Sequence, residues 1–447
     1  MKPFIACGLM SGTSRDGIDV ALVEIAGKFP ENRITLIHAE TVGYPPGLAR
    51  LLGDLGASGG ESRRGSLGGA GWAGATHVAA ADFWVGEAFG RAAGRAFVNA
   101  GLTKDDVCVI GSHGQTIFHF PEGLRVGRTR GIRGIGKTRG KAVRATLQVG
   151  NGAVIARIAG VPTVSDFRSA DLAAGGEGAP LVPIYDYVAL RNPSLSRVAI
   201  NIGGIANLTA IPAGGAAASV VSFDTGPGNC LLDLAVEIAT DGRRKFDNGG
   251  ALARKGDLDP RLLRRLLAHP YFKRRPPKST GWEEFGRDLL RELWPRAGRT
   301  AARQAGKRSP DRSRAVREAE ASRVLRTLTE ATAESIAAAV SDFVAPRMWP
   351  DEAVVTGGGS RNTFLLERLS KKLGERFPEI VVDRGEAFGI DSDAKEACAF
   401  AYLAYLHLAC VPANLSSQAA GLPPAILGCL YPVPGRLRPE LAARLKC

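Results

Sequence analysis

The stretch "FIACGLMSGTSRDGIDVALVEI", residues 4–25, is an apolar run, a turn of small polar residues and a second apolar run. Two apolar segments of strand length joined by Gly, Ser, Thr and Asp predict a β-hairpin. The turn and its exit hold Gly12, Thr13, Ser14, Arg15, Asp16, Gly17, Ile18 and Asp19. Glycine lets a backbone approach a ligand closely, and Ser and Thr hydroxyls donate to phosphate oxygens. Asp16 and Asp19 are spaced to reach Mg2+ directly or through water. The same grammar recurs at "RVAINIGGIANLTAIP", 197–212. In "VVSFDTGPGNCLLDLAVEIA", 220–239, a strand runs through Asp224, Thr225, Gly226, Pro227, Gly228 and Asn229 into a helix. Proline near a helix start and a glycine approach predict an open helix N-terminus suited to anions. In "EAVVTGGGSRNTFLLERL", 352–369, Gly357, Gly358 and Gly359 sit between strand and helix, where a purine can lie against the backbone.

Such turns in both halves predict a duplicated α/β fold with nucleotide in the cleft between the halves. The arrangement resembles the actin, Hsp70 and sugar-kinase superfamily, which implies a two-lobed, ribonuclease H-like ATPase fold that lacks a P-loop. The expected division is an N-terminal lobe over 1–165 and a C-terminal lobe over 166–447. One segment competes. "GIRGIGKT", 131–138, reads G-x-x-x-x-G-K-T, the pattern of a P-loop. A working P-loop joins a buried strand to a helix. Here "RVGRTR" precedes and "RGKAVR" follows, so the match reads as a solvated basic loop.

Charge raises a second question. The chain of 447 residues has a formal net charge of +14. Residues 122–144 and 295–317 together match that excess and read as exposed, inserted loops, as does the Gly-rich stretch 56–74. A basic chain invites a nucleic-acid reading, but no aromatic residues interleave with these cations, which argues against a single-strand platform. The seven cysteines include no C-x-x-C pair, so reduced thiols in a cytoplasmic protein fit better than disulfides or zinc. No run of 18 apolar residues and no leader-like start are present, and no membrane partner is expected. A homodimer is compatible with the sequence.

Candidate chemistry lies between the hairpins. In "VPTVSDFRSADLAAGGEGAPLVPIYDYVAL", 161–190, an apolar strand leads to Asp166, Arg168 and Asp171 and a glycine turn. A carboxylate beside such a turn suits a general base, and Asp171 is the candidate. An N-cap or an ion pair with Arg168 is the structural alternative. "VIGSHGQTIFHFP", 109–121, gathers Ser112, His113, Gln115 and His119 for hydrogen bonding to a polar ligand; no third metal ligand accompanies the histidines. Gln148, Gly150 and Asn151 precede a helix and suit sugar hydroxyls or amides. Lys278 in "RRPPKSTGWEEFG" reads as a surface charge or a substrate clamp. Glu396, early in the apolar helix 392–409, reads as a favourable N-terminal charge or a cleft residue.

These stretches, with "LQVGNGAVIA", "NIGGIANLT", "VVTGGGSRN" and "DAKEACAFAYLA", occur in one order from residue 8 to about 430. In that order they resemble the anhydro-N-acetylmuramic acid kinases of cell-wall recycling. The resemblance implies that Gly12 to Asp19 bind ATP, with Asp224, Thr225, Gly226, Gly228, Asn229, Gly357 and Gly358 completing the nucleotide site. It implies Mg2+ near Asp16 and Asp224. It implies a small anhydro sugar as substrate, contacted by Ser112, His113, Gln148, Gly150, Asn151, Arg168 and Glu396. Asp171 would activate water, which opens the 1,6-anhydro ring as O6 takes the γ-phosphate. Glu177 replaces the family's usual Gln and Arg15 an apolar residue. A kinase for another anhydro sugar, such as levoglucosan, and a nucleic-acid-binding protein are the alternatives.

Overall fold

A computed structural model describes residues 3–12, 17–61, 71–126, 141–294 and 310–434. The chain divides into two compact units, Met1–Ala189 with Ala394–Cys447, and Leu190–Asp393. The first unit is built on seven strands: β1 (Phe4–Ser11), β2 (Ile18–Ala26), β3 (Arg33–Val42), β4 (Val107–Val126), β5 (Lys141–Val149), β6 (Thr163–Ser165) and β12 (Cys429–Tyr431). Their order is β12-β6-β4-β1-β2-β3, with β5 paired to β4. All but the first residue of β1 are buried, as expected of an apolar run covered on both faces. β3 alternates between more and less exposed residues over much of its length and forms the edge.

Each face has its own cover. Leu48 and Leu52 of α1 (Pro46–Glu61) and Val85 and Phe89 of α2 (Gly71–Asn99) pack with Leu9, Val20 and Leu22 of the sheet. Helices α3 (Gly152–Ala159), α4 (Phe167–Ala173) and α5 (Pro183–Leu190) follow. Also in this unit are α11 (Lys395–Leu408) and α12 (Leu415–Ala419). α11 is apolar nearly all round and almost wholly buried. It touches the sheet backbone at two glycines. A Cβ on Gly8 would lie 1.7 Å from the carbonyl oxygen of Ala397, and one on Gly111 would lie 1.9 Å from that of Phe400. This contact sets Glu396, at the start of α11, on the β1–β4 face.

The second unit has five strands, β7 (Arg197–Ile202), β8 (Ile205–Ile211), β9 (Val221–Pro227), β10 (Glu352–Thr356) and β11 (Val381–Arg384), in the order β11-β10-β7-β8-β9. Its helices are α6 (Cys230–Ala239), α7 (Pro260–Leu267), α8 (Arg287–Leu293), α9 (Pro310–Ala339) and α10 (Thr363–Gly374). Ile336 near the end of α9, Val340 just after it, and Leu365 and Leu369 of α10 pack on Val198, Ile200 and Val355 of the sheet.

The two sheets follow one plan. β3-β2-β1-β4-β6 and β9-β8-β7-β10-β11 are each an antiparallel meander continued by two parallel strands. The expected two-lobed α/β architecture with duplicated hairpins is present. The sequence division after residue 165 differs from the observed one, because β12 pairs with β6 and α11 packs on β1, returning the C-terminal segment to the first unit.

The basic segments are not simply loops. Leu124, Arg125 and Val126 pair with Val143, Ala142 and Lys141 as an extension of the β4–β5 ribbon, and residues from Pro310 onward begin α9. The motif at 131–138 lies outside the described residues, as does most of the Gly-rich stretch 56–74 beyond the helix ends. No described helix is long and apolar enough to cross a membrane.

Candidate active site

In the first unit the site starts at the base of the β1–β2 hairpin. Ser11 Oγ lies 2.7 Å from the Gly17 carbonyl oxygen and 2.9 Å from Gln115 Oε1, with one proton to share between them. Gln115 Nε2 donates to the Gly12 carbonyl at 3.2 Å. Both side chains are buried. The two ends of the turn are therefore clamped from β4. Thr13, Ser14, Arg15 and Asp16 lie outside the described residues. Ile18 points into the core, and Asp19 accepts from the Thr41 hydroxyl at 2.6 Å.

Asp171 sits on α4, 3% exposed. Its Oδ2 accepts from the Gly178 N–H at 2.7 Å, whereas its Oδ1 has no hydrogen-bond partner among the described residues. The turn after α4 folds back over the carboxylate, so that a Cβ on Gly176 would lie 2.4 and 2.5 Å from its two oxygens. Arg144 Nη1 holds this turn from outside, donating to the Gly175 and Gly176 carbonyls at 2.6 and 3.1 Å. Neither structural alternative for Asp171 is met: the N-cap position is Asp166, and Arg168 bonds elsewhere.

Arg168 donates to the Gly178 carbonyl at 2.8 Å and turns Nε and Nη2 toward His113 Nε2, at 3.2 and 2.8 Å. A guanidinium only donates, so His113 Nε2 accepts and its Nδ1 carries the proton toward the Gly114 carbonyl, 2.9 Å away. Burial first, and the Arg168 charge second, hold His113 well below its ordinary pKa. It is neutral. Burial also lowers Arg168 to about 10, against the pull of Glu396. Burial pushes the Glu396 carboxyl up and Asp19 adds to it, opposed by Lys395 and Arg168. Lys395 itself forms a buried ion pair with Asp186 of α5 at 2.8 Å. Arg168 thus bridges the Asp171 turn, β4 and the charge field of α11.

The remaining sugar-site candidates divide. Ser112 Oγ is buried with no hydrogen-bond partner among the described residues. Gln148 donates to the Thr146 hydroxyl at 2.8 Å and lies 3.3 Å from that of Thr116. His119 Nδ1 meets the same Thr146 hydroxyl at 3.0 Å, and burial lowers it to about 4. Asn151 is used by the fold: Oδ1 caps α3 by accepting from the Ala153 and Val154 amides, and Nδ2 donates to Asp82. The Gly150 N–H also goes to Asp82.

In the second unit the β7–β8 turn meets the start of α6. The Gly228 and Cys230 amides donate to the Gly204 carbonyl at 2.9 and 3.0 Å, and the Asn229 amide to that of Gly203 at 2.8 Å. The hairpin turn thus takes the first amide of α6, Cys230, and the two that precede it. The Thr225 hydroxyl is buried and donates to the Ala206 carbonyl. A Cβ on Gly226 would meet the Phe272 ring at 2.6 Å. Asp224, in the middle of β9, is partly exposed; its Oδ2 accepts from the Thr280 amide at 3.0 Å, and its own amide donates to the Lys278 carbonyl. The triple glycine splits its duties. Gly357 adopts a φ of +79°, and Gly359 packs on Ile202. Gly358 is exposed, and a Cβ added there would have only Asn229 Nδ2 nearby, 3.9 Å away. The backbone surface at Gly358 is therefore open.

The family profile described as anhydro-N-acetylmuramic acid kinase matches residues 4–433. The chain belongs to that family. It is 40% identical to an anhydro-N-acetylmuramic acid kinase of Gloeobacter violaceus, over 97% of this chain and 100% of that one. It is 37% identical to one of Caldanaerobacter subterraneus, over 90% of each, and 35% identical to one of Bacillus cereus, over 94% and 97%. The sequence reads Gln115 as a hydrogen-bonder to a polar ligand, whereas the structure turns it onto Ser11 and the Gly12 carbonyl at the hairpin. The side chain that sequence reading left out of the site is Arg144. Arg144 was hidden among the cations of a segment read as an insertion.

Proposed function

We propose that the chain is a cytoplasmic ATP-dependent kinase that opens the 1,6-anhydro ring of 1,6-anhydro-N-acetylmuramic acid and phosphorylates O6. One observation carries this reading: a member of this family holds Asp171 buried, with one oxygen fixed by Gly178 and the other without a hydrogen-bond partner among the described residues. A fixed carboxylate with one spare acceptor suits a general base. Water gives its proton to Asp171 Oδ1 as its oxygen bonds to C1. The C1–O6 bond breaks, O6 bonds to the γ-phosphorus, and the bond from that phosphorus to the β-phosphate oxygen breaks to leave ADP. The product is N-acetylmuramic acid 6-phosphate.

The other residues take supporting roles. Residues 12–19 and Gly358 would receive the nucleotide, the first clamped by Gln115 and Ser11. Asp224, a partly exposed carboxylate on β9, suits Mg2+, which is commonly held by one or two carboxylates and the phosphates. When bound, Mg2+ neutralises charge on the transferring phosphoryl group. Arg168, kept cationic and oriented by neutral His113, would donate to the sugar's polar groups, with Ser112, Gln148 and Glu396 near them.

The test is ADP release by purified protein with Mg2+-ATP, with and without the anhydro sugar, and mass analysis of the sugar. The reading expects sugar-dependent ADP and a product heavier by one water and one phosphoryl group. Release that depends instead on levoglucosan would overturn the substrate, and a product without the added water would overturn the role of Asp171.

A further inference from the structure

The second unit contains a cavity of about 470 Å³ beside Lys278, within the size range of small-molecule sites. Lys278 is 7% exposed. Its ammonium lies among three rings, 4.7 Å from the centroid of Phe343, 4.8 Å from Tyr271 and 5.7 Å from Phe223. No oxygen accepts a hydrogen bond from it among the described residues. The rings offset part of the cost of burial, but an ammonium without an acceptor is still expensive. Burial lowers it to about 8, so it remains mostly charged at neutral pH.

The charges around the cavity are unequal. Lys273, Arg275 and Lys278 line it together with Glu334 and Asp342, and Asp342 acts on the Lys278 charge, as does Asp224. Glu334 is already held by Lys372, at 3.3 Å, and by Arg376. Asp342 is the one lining carboxylate that no cation holds by an ion pair among the described residues. Three cations against one such carboxylate favour a dianion over a carboxylate monoanion, and Phe272 offers a wall for a ring.

We propose that this cavity binds a small organic phosphate monoester, with its phosphoryl oxygens on Lys278 Nζ, Lys273 and Arg275 at the mouth, and its body against Phe272. This goes beyond the kinase reading and does not depend on it.

The experiment is titration calorimetry on the full chain with glucose 6-phosphate, glucose and inorganic phosphate as probes. Glucose 6-phosphate should bind, glucose should not, and inorganic phosphate should bind more weakly. Lys278→Met should weaken the ester by roughly tenfold or more, the loss of one charge-assisted hydrogen bond. In parallel, reductive methylation at pH 8, read by peptide mass, should label Lys278 in free protein and be suppressed by glucose 6-phosphate. This second readout needs no variant and decides the matter if Lys278→Met fails to fold. Unchanged affinity in Lys278→Met, or equal labelling with and without the ester, would make the ring cage purely structural and overturn the proposal. Displacement of the ester by a non-hydrolysable ATP analogue would assign the cavity to the nucleotide and overturn it equally.

Discussion

The β1–β2 and β7–β8 hairpins occupy the same place in two sheets of the same plan, yet they are fastened differently. In the first, residues 12–17 connect the strands and are held by side chains, Ser11 and Gln115. In the second, Gly203 and Gly204 alone connect the strands, and three backbone amides hold them. A backbone lock consumes the polar groups of the turn and leaves it a scaffold. A side-chain clamp at the base instead holds the carbonyls of Gly12 and Gly17 through Gln115 and Ser11. The sheets share one plan, and the difference in anchoring is the ground on which we propose the β1–β2 turn, not the β7–β8 turn, for nucleotide.

The comparison can be broken at either hairpin. The largest effect on folding should come from Gly228→Ala, because a Cβ there would lie 2.3 Å from the Gly203 carbonyl oxygen, with no flexible side chain to yield. Overpacking of this kind costs about 1–3 kcal/mol or more, seen as a lowered melting temperature. Gly374→Ala is the control, since a Cβ meets nothing within 4 Å there. Equal melting of the two variants would refute the backbone lock.

Gln115→Ala should act on binding more than on folding. It strands the Gly12 carbonyl and leaves the Ser11 hydroxyl with Gly17 alone, a loss of about 1–3 kcal/mol, read as a KM for ATP raised roughly tenfold with a smaller change in kcat. Gln115→Glu keeps the acceptor for Ser11 and should recover part of the affinity. An unchanged KM in Gln115→Ala would remove the clamp from the account.

The smallest effect is one of pH. Burial holds His119 near 4 against an ordinary 6.5. Between those values the unfolded chain binds the proton and the folded chain does not, so stability falls as pH drops from about 6.5 toward 4. His119→Gln should flatten that slope in urea titrations. An unaltered slope would place the acid sensitivity elsewhere.

Much of this was legible because strand–turn–strand grammar is local. The paired strands on either side of "SGTSRDG", the triple glycine and the "SADLAAGGEG" segment are each marked by a few residues. What escaped the sequence is non-local. Nothing near "CLY" at 429–431 says that it pairs with Ser165, Val164 and Thr163, so the division after 165 missed the return of the C-terminal segment. The amides of 228–230 looked open because their acceptors lie in a turn some 25 residues earlier in the chain. Arg144 reads as one more surface cation until the fold brings it against the Asp171 turn. Lys278 could be read as a surface charge or a clamp, and only packing shows the three rings around it.

The account rests most heavily on Asp171. Asp171→Asn preserves shape and keeps an acceptor for the Gly178 amide, while removing the carboxylate that takes the proton. The decisive measurement pairs sugar-dependent ADP release with calorimetric binding of a non-hydrolysable ATP analogue in this variant. The account predicts turnover lowered by about 10²–10⁴-fold with analogue affinity unchanged. Full turnover in Asp171→Asn would contradict it.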